Sequence, residues 1–502
     1  MHKRTVYLHK SRAFLEREVV AAVKRGERCF IVSNSKKYIK AVHRMILIEC
    51  GGHVAMRVIT SDNSRDDGIL RFLANVKEEF LQIQVLAGTP SIGTGIDMTF
   101  PNDQILVDRV FGFFYPFINT HTDIDQQLCR VRHPGRVDVW INPATFNFTS
   151  NVDVIMDDLA RGYAVPRAVR GRRPDGMVEY DRADPLLNLC AHVTALQRAS
   201  KNRLVELFCA LRVANGWTVE WMDGAASTSP VTAAREILAA ERAEKLLAAP
   251  LVGNDDYIEL DMKIQNGTNL SDEDRIVYER NHFERTVGIP LDERLVELDR
   301  DGKLLPRIST LAAVLPLLPA ADQGADLVSW LLEPTTTPKG RLDKTRPERL
   351  MAVLIRVAGL TSADGFDDKA VVSVDSLTRF VGICRDNRTM IEEILGQPLR
   401  NDYHKKPTRQ LNEILKRAGL DLIEAKTHKV AGKKIRSYGI SRDILATMTT
   451  LALSYREVEA RVAEEKAMAL SQKRNRRERV EGVDEPALTE DRNLLSRFFL
   501  DP

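Results

Sequence analysis

The sequence predicts an α/β domain with a largely parallel sheet, then a mostly helical region, then a smaller α+β module. Three observations carry this reading. Residues 1–160 alternate helix-periodic segments with short apolar runs, the order of βαβ units. From Leu186 to about Leu332 the spacing of apolar residues is helical throughout. Near the C-terminus a helix is followed by a basic strand–turn–strand. The predicted divisions are 1–160, a basic linker over 161–185, a helical domain over 186–335, a module over 340–450, and a charged helix with a disordered tail over 451–502.

Each element follows from its residues. Leu15, Val19, Val20 and Val23 share one face of a helix over 14–25, which Gly26 stops. A short apolar strand over 29–32 runs into Ser33-Asn34-Ser35, and a helix spans 36–50. Gly51-Gly52 turns the chain into a strand over 53–59. A helix over 67–80 leads to a strand over 83–86, a Gly/Thr-rich loop, and a strand over 104–110. Thr122 with Asp125 three positions on has capping-box spacing, and a strand over 137–141 closes the unit. The aromatic run 111–117 reads as a buried strand end, with base stacking as the alternative. Pro166, Arg167, Arg170 and Arg172 to Pro174 mark the exposed linker. Leu204, Leu207, Phe208 and Leu211 face one way in a helix ending near Gly216. Ser229-Pro230 and Ser271 with Asp274 open two more helices.

Charge and composition bound the function. The 502 residues hold 73 Lys+Arg against 70 Asp+Glu, a net charge of +3 that excludes neither nucleic acid nor acidic substrates. No run approaches the ~18 apolar residues of a membrane span, and the N-terminus lacks the apolar core of a signal peptide. The six cysteines are far apart without a CxxC pair, and His121 and His133 lack ligand spacing, so no metal is expected. A cytoplasmic protein without a membrane partner is the expectation.

Three loops carry candidate chemistry, and all three are expected at the carboxyl edge of the sheet, where open parallel sheets bind ligands. The first is Ser33-Asn34-Ser35-Lys36. The second, Gly88-Thr89-Pro90-Ser91-Ile92-Gly93-Thr94-Gly95-Ile96-Asp97, offers close backbone approach, hydroxyls for phosphate oxygens and a carboxylate for a ribose hydroxyl. The third runs from Asp125 through Gln126 and Cys129 to Arg130-Val131-Arg132-His133. Its two arginines suit a phosphoryl group whose charge develops during transfer.

In order and spacing these loops resemble motifs IV, V and VI of the second RecA-like domain of superfamily-two helicases. The similarity is greatest to the lineage of herpesvirus-type origin-binding and plasmid replication helicases. The resemblance implies a RecA-like, P-loop NTPase-type sheet. It makes Arg130 the arginine finger and leaves the role of Arg132 open, because that residue falls one position early. It places Gly95, Asp97 and Gln126 near the nucleotide, and Ser33, Asn34 and Thr89 on a nucleic-acid backbone. Cys129 stands where the family usually has glycine. No G-x-x-x-x-G-K-[ST] and no DExx-like acidic motif occurs in the sequence. ATP and Mg²⁺ are therefore expected only if a first RecA-like domain is supplied, by a separate chain or upstream in the intact gene. The chain alone is expected to be inactive.

The C-terminal module carries the second expectation. Thr408 caps a helix with Leu411, Ile414, Leu415 and Ala418 inward, stopped by Gly419, and a basic hairpin follows. That is the order of a winged helix. Residues 397–438 hold eleven Lys/Arg against four Asp/Glu, a net of +7. Arg409, Gln410 and Asn412 are candidate base contacts; Lys416, Arg417, Lys433 and Lys434 are candidate phosphate contacts, with DNA as partner. The expected protein is the C-terminal part of a plasmid or mobile-element replication helicase. The alternative is a non-enzymatic DNA-binding initiator or adaptor that keeps the motor fold.

Overall fold

A computed structural model describes residues 4–92, 96–116, 118–161, 165–172, 178–226, 228–299, 302–318, 346–430 and 433–481. Nine strands occupy the N-terminal half: β1 (Thr5–His9), β2 (Cys29–Ser33), β3 (Met56–Ile59), β4 (Val85–Gly88), β5 (Val107–Phe114), β6 (Pro134–Ile141), β7 (Val169–Arg172), β8 (Val178–Tyr180) and β9 (Thr218–Met222). All but β7 and β8 form one parallel sheet in the order β3-β4-β2-β5-β6-β1-β9. A seven-stranded parallel sheet with helices on both faces is an α/β domain, as the sequence predicts.

The helices are α1 (Arg12–Lys24), α2 (Lys36–Cys50), α3 (Asp67–Ala74), α4 (Val76–Leu81), α5 (His121–Leu128), α6 (Val152–Arg161), α7 (Pro185–Asn202), α8 (Leu204–Ala214), α9 (Pro230–Ala248), α10 (Asn254–Gln265) and α11 (Asp272–Val287). One face of the sheet is covered by α1, α2 and α9, through Leu15, Val19, Tyr38, Ile39, Val231 and Ala234. The other is covered by α3, α4, α5 and α8, through Phe72, Phe80, Ile124 and Phe208. The sheet unit thus reaches past residue 160. It takes α8, β9 and α9 from the stretch expected to be a separate helical domain.

The apolar residues alternate across each strand as a two-sided sheet requires. Phe111 and Phe113 enter one core and Phe114 the other, all fully buried, as expected for a strand end. One charged group lies inside. Asp138, fully buried on β6, accepts from Arg109 at 2.8 Å, Arg136 at 3.0 Å and His9 at 2.8 Å. Burial pushes its carboxyl up, but these three donors outweigh that and hold its pKa below the ordinary carboxylate value.

Several local expectations shift. The helix over 67–80 is two helices, broken at Asn75 (φ −122°, ψ 39°). The N-cap of α5 is Thr120, in a capping box with Asp123. Thr122 and Asp125 have the same spacing, but Asp125 is drawn away by Arg212 on α8, 2.8 Å distant. The segment expected as a linker contains the β7–β8 hairpin, which belongs with α6 and α7 to a small separate core of Ile155, Met156, Leu187 and Ala191.

Beyond α9, a single apolar core joins Phe283, Leu295 and Ile308 to Leu354, Phe380, Leu411 and Met448. The helical region and the C-terminal module are therefore one packed body. The module runs helix Arg346–Val357, a bridge strand at Val372, helices Thr378–Asp386, Arg388–Leu395 and Pro407–Leu415, then strands Leu422–Val430 and Lys433–Ile440. These two strands pair antiparallel, and Val372 pairs antiparallel with Tyr438 beside them. Helix Pro407–Leu415 begins on Pro407 itself, with Lys406 as N-cap rather than Thr408 within the helix. A short 3₁₀ turn extends it to Gly419, which ends it in the left-handed region (φ 73°). Helix Arg442–Glu481 follows. The expected acidic tail lies outside the described residues.

Candidate functional site

The three loops do not share one edge of the sheet. In a parallel sheet the chain leaves each strand at the carboxyl edge and returns to the amino edge to begin the next. Ser33, Asn34 and Thr89 directly follow or end β2 and β4, and lie at the carboxyl edge. Arg130 and Arg132 follow α5 and precede β6, so they lie at the amino edge. The long loop after β4 crosses between the two and brings Asp97 to the arginines. The expectation that all three loops line the carboxyl edge is corrected on this ground.

At the amino edge the second and third loops close on each other. Met98 N–H donates to the Arg130 carbonyl at 2.8 Å, and Met98 and Val131 form a parallel bridge. Arg130 Nη1 donates to the Ile96 carbonyl at 3.1 Å, and Arg132 Nε to Asp97 Oδ1 at 3.2 Å. Arg130 is only 8% exposed and has no carboxylate partner among the described residues. Burial lowers its pKa, although a guanidinium stays charged. Asp97 and Arg132 are both half-exposed. Burial raises the Asp97 pKa, but hydrogen bonds from Thr99 and Arg132 outweigh it and the carboxyl stays below its ordinary value. Gln126 is exposed on α5 while its neighbour Gln127 is buried. Gly95 lies outside the described residues.

Residues that sequence reasoning missed hold this loop in place. Arg212 of α8, 1% exposed, reaches Asp125 one turn before the end of α5 and donates to Cys129 Sγ at 3.5 Å. Its guanidinium lies over the rings of Trp217 at 4.5 Å and Phe208 at 5.4 Å. The Cys129 thiol thus takes a donor from a helix distant in sequence. The pattern of Leu204, Leu207, Phe208 and Leu211 identified the helix, but nothing local marks Arg212 as buried.

At the carboxyl edge the side chains are more committed. Asn34 Nδ2 donates to the Tyr115 carbonyl at 2.8 Å and Tyr115 N–H donates back to Asn34 Oδ1 at 3.0 Å, tying the ends of β2 and β5. Ser33 is fully buried and accepts from Ser35 N–H. Thr89 is buried, its N–H donating to the Ile59 carbonyl at 3.1 Å. Beside them is a cationic group. Lys36 and Lys40 at the start of α2, and Arg275 of α11, converge on Asp62 at 2.7, 2.5 and 2.7 Å. Burial raises the Asp62 pKa, but the lysine hydrogen bonds dominate and bring it down to about 2. Three cations on one carboxylate leave a formal excess of two positive charges at a helix N-terminus.

In the C-terminal module the candidates divide. Gln410 is buried and its Oε1 accepts from Arg400 N–H at 2.8 Å. Asn412 Oδ1 accepts from Leu422 N–H at 2.7 Å. Both side chains brace the helix against its neighbours, a role different from the base contacts expected of them. Arg417 donates to the Leu395 carbonyl at 2.8 Å, and burial lowers its pKa while Glu348 opposes that. Arg409 and Lys416 remain exposed. Lys433 and Lys434 lie on the second hairpin strand; their side chains lie outside the described residues.

No family model matches the chain, and no curated protein does. Among solved structures, one described as Mss116p DEAD-box helicase domain 2 bound to an RNA duplex aligns with 59% of this chain and 88% of its own. The identity is 12% and the TM-score 0.24, too loose an overlay to bear on the site. No described helix is long and apolar enough to cross a membrane, and no described His, Cys, Asp and Glu group has metal-holding geometry.

Proposed function

We propose that the chain is the second motor half and C-terminal region of a nucleic-acid helicase of a replication system, with DNA as its nucleic acid. The observation that carries this is the closure of the second and third loops around Arg130. A nearly buried guanidinium is held at one nitrogen by the Ile96 carbonyl, with no described carboxylate to neutralise it. Such a group meets an incoming anion without first breaking an ion pair. In this reading Arg130 contacts the γ-phosphate of ATP bound, with Mg²⁺, on a first motor domain supplied by another chain or another part of the gene product. ATP supplies the phosphoryl group. This chain's residues orient Arg130 (Ile96, Met98), position its turn (Arg212, Asp125) and keep Arg132 on Asp97. Lys36, Lys40 and Arg275 offer excess positive charge to a nucleic-acid backbone at the opposite edge. The C-terminal module acts as a winged helix in this reading, supported by its helix–strand order and its outward Arg409 and Lys416.

The test is reconstitution with a Walker-motif protein encoded beside this one. DNA-stimulated ATPase is expected only with both components, and Arg130→Ala should lower it on the order of 10³-fold or more while DNA binding holds. ATPase unchanged by Arg130→Ala would leave the adaptor reading in its place.

A further inference from the structure

Helix Arg442–Glu481 is far longer than its packing explains. Leu445, Met448, Leu451 and Ala452 enter the large C-terminal core, with Tyr455 packed against it. Ser454 Oγ donates to the Val287 carbonyl at 2.7 Å. Every residue over 459–469 is then exposed, on all sides of the helix. A packed helix buries one stripe, and this stretch buries none. The helix therefore leaves the body as an arm. From position 459 to its end at Glu481 it runs about 33 Å, at 1.5 Å per residue.

Charge is distributed unevenly along the arm. Residues 456–466 hold Arg456, Arg461 and Lys466 against Glu457, Glu459, Glu464 and Glu465, a net of −1. Arg456 stands three positions from Glu459, and Arg461 three or four from Glu457, Glu464 and Glu465. That spacing of opposite charges supports a solvated helix without a partner.

The tip is different. Five of the seven residues over 473–479 are Lys or Arg, the densest basic run in the chain. Arg474 has Glu478, and Arg477 has Glu481, four positions on. Lys473, Arg476 and Arg479 have no acidic residue three or four positions away, and are themselves spaced by three. Like charges at that spacing repel. The helix dipole favours cations only within the last turn, and Lys473 and Arg476 precede that turn. Three unmatched cations at the outer end of a solvated arm call for a counter-charge from another molecule.

We propose that this arm is a DNA contact, with positions 473, 476 and 479 set along the phosphate backbone beyond the stretch that the body covers. Duplex DNA presents one negative charge per about 1.7 Å of its axis, dense enough to serve all three. Four of the five tip cations are arginine, whose planar fork meets phosphate oxygens in pairs. An anionic membrane surface suits the tip less, because Val480 is the one apolar residue over 473–481. The arm shares its DNA partner with the proposed function but needs neither Arg130 nor ATP.

Fluorescence anisotropy of the full chain on a duplex of about 30 base pairs, over about 50–200 mM salt, tests it. Acidic residues follow at 484, 485, 490 and 491, so the full chain includes their competition for the arm. Lys473→Gln, Arg476→Gln and Arg479→Gln together should lower the slope of log affinity against log salt by about 2 to 3. Circular dichroism and melting should not change, since the packed core ends before position 456 and glutamine is a good helix former. Arg456→Gln, Arg461→Gln and Lys466→Gln, an equal loss of charge from the shaft, should leave the slope alone. An unchanged slope for the tip variant, an equal fall for both triple variants, or a tip effect confined to phosphatidylserine vesicles would each overturn the arm as a DNA contact. A chain that binds no duplex at all would overturn the proposed DNA partner as well.

Discussion

The amino-edge loops carry two arginines and the C-terminal helix–hairpin a cluster of arginines and lysines, and the two regions use these residues in opposite ways. At the amino edge, residues 34 to 35 positions apart meet: Arg130 reaches Ile96 and Arg132 reaches Asp97. The site is made by the long return of the chain between β4 and β5. In the C-terminal module the candidates are neighbours in sequence, and the fold separates them. Gln410, Asn412 and Arg417 turn inward to backbone groups, leaving Arg409 and Lys416 outside. Counting charge locates a basic region; only packing says which of its side chains remain available.

Mutations that break the amino-edge arrangement should have the largest structural effect. Arg212→Ala removes a buried cation from Asp125 and from two aromatic faces. A loss of about 3 kcal/mol is expected in urea unfolding. Arg132→Ala, only five residues beyond Gln127 but half-exposed, should cost under ~1 kcal/mol. Equal losses for the two arginines would erase the distinction drawn between them.

The carboxyl edge gives a titration of intermediate size. Asp62 has a folded pKa of about 2 against 3.8 for the free group. Because the folded value is depressed, this stabilisation is full above about pH 4 and disappears as the pH falls through about 2. It amounts to about 2 kcal/mol. Asp62→Asn should remove that component of the acid-unfolding profile, measurable as the difference between the two proteins' stabilities at pH 5 and pH 2.

Within the C-terminal module, Gln410→Ala and Asn412→Ala each leave a backbone N–H without its acceptor, and about 1–2 kcal/mol of stability should go with it. Arg409→Ala and Lys416→Ala should leave stability within ~0.5 kcal/mol. In a DNA-binding salt series each should lower the slope by about 1. A salt slope indifferent to both would count against a DNA-facing helix.

Much of the architecture was legible because it depends on local periodicity. The helix over 36–50 has its expected bounds, and Gly26, Gly216 and Gly419 sit in the left-handed region just where helices were expected to stop. The first and last strands of the sheet were not legible. Thr5–His9 is short and its side chains alternate between core and a polar cluster, while Thr218–Met222 is an exposed edge strand paired only with β1. Neither presents the apolar run that marks a central strand.

By itself the sequence determined the βαβ order, the three loops, the basic C-terminal segment and the absence of a Walker A motif. Those are properties of neighbouring residues, set by spacing, turn chemistry and charge. The tertiary structure decided which edge each loop occupies, that Arg130 lacks a carboxylate partner among the described residues, that Arg212 braces its turn, and that Gln410 and Asn412 are internal braces. These outcomes depend on groups distant along the chain meeting in space. A parallel sheet whose chain must cross from edge to edge is what brings them there or keeps them apart.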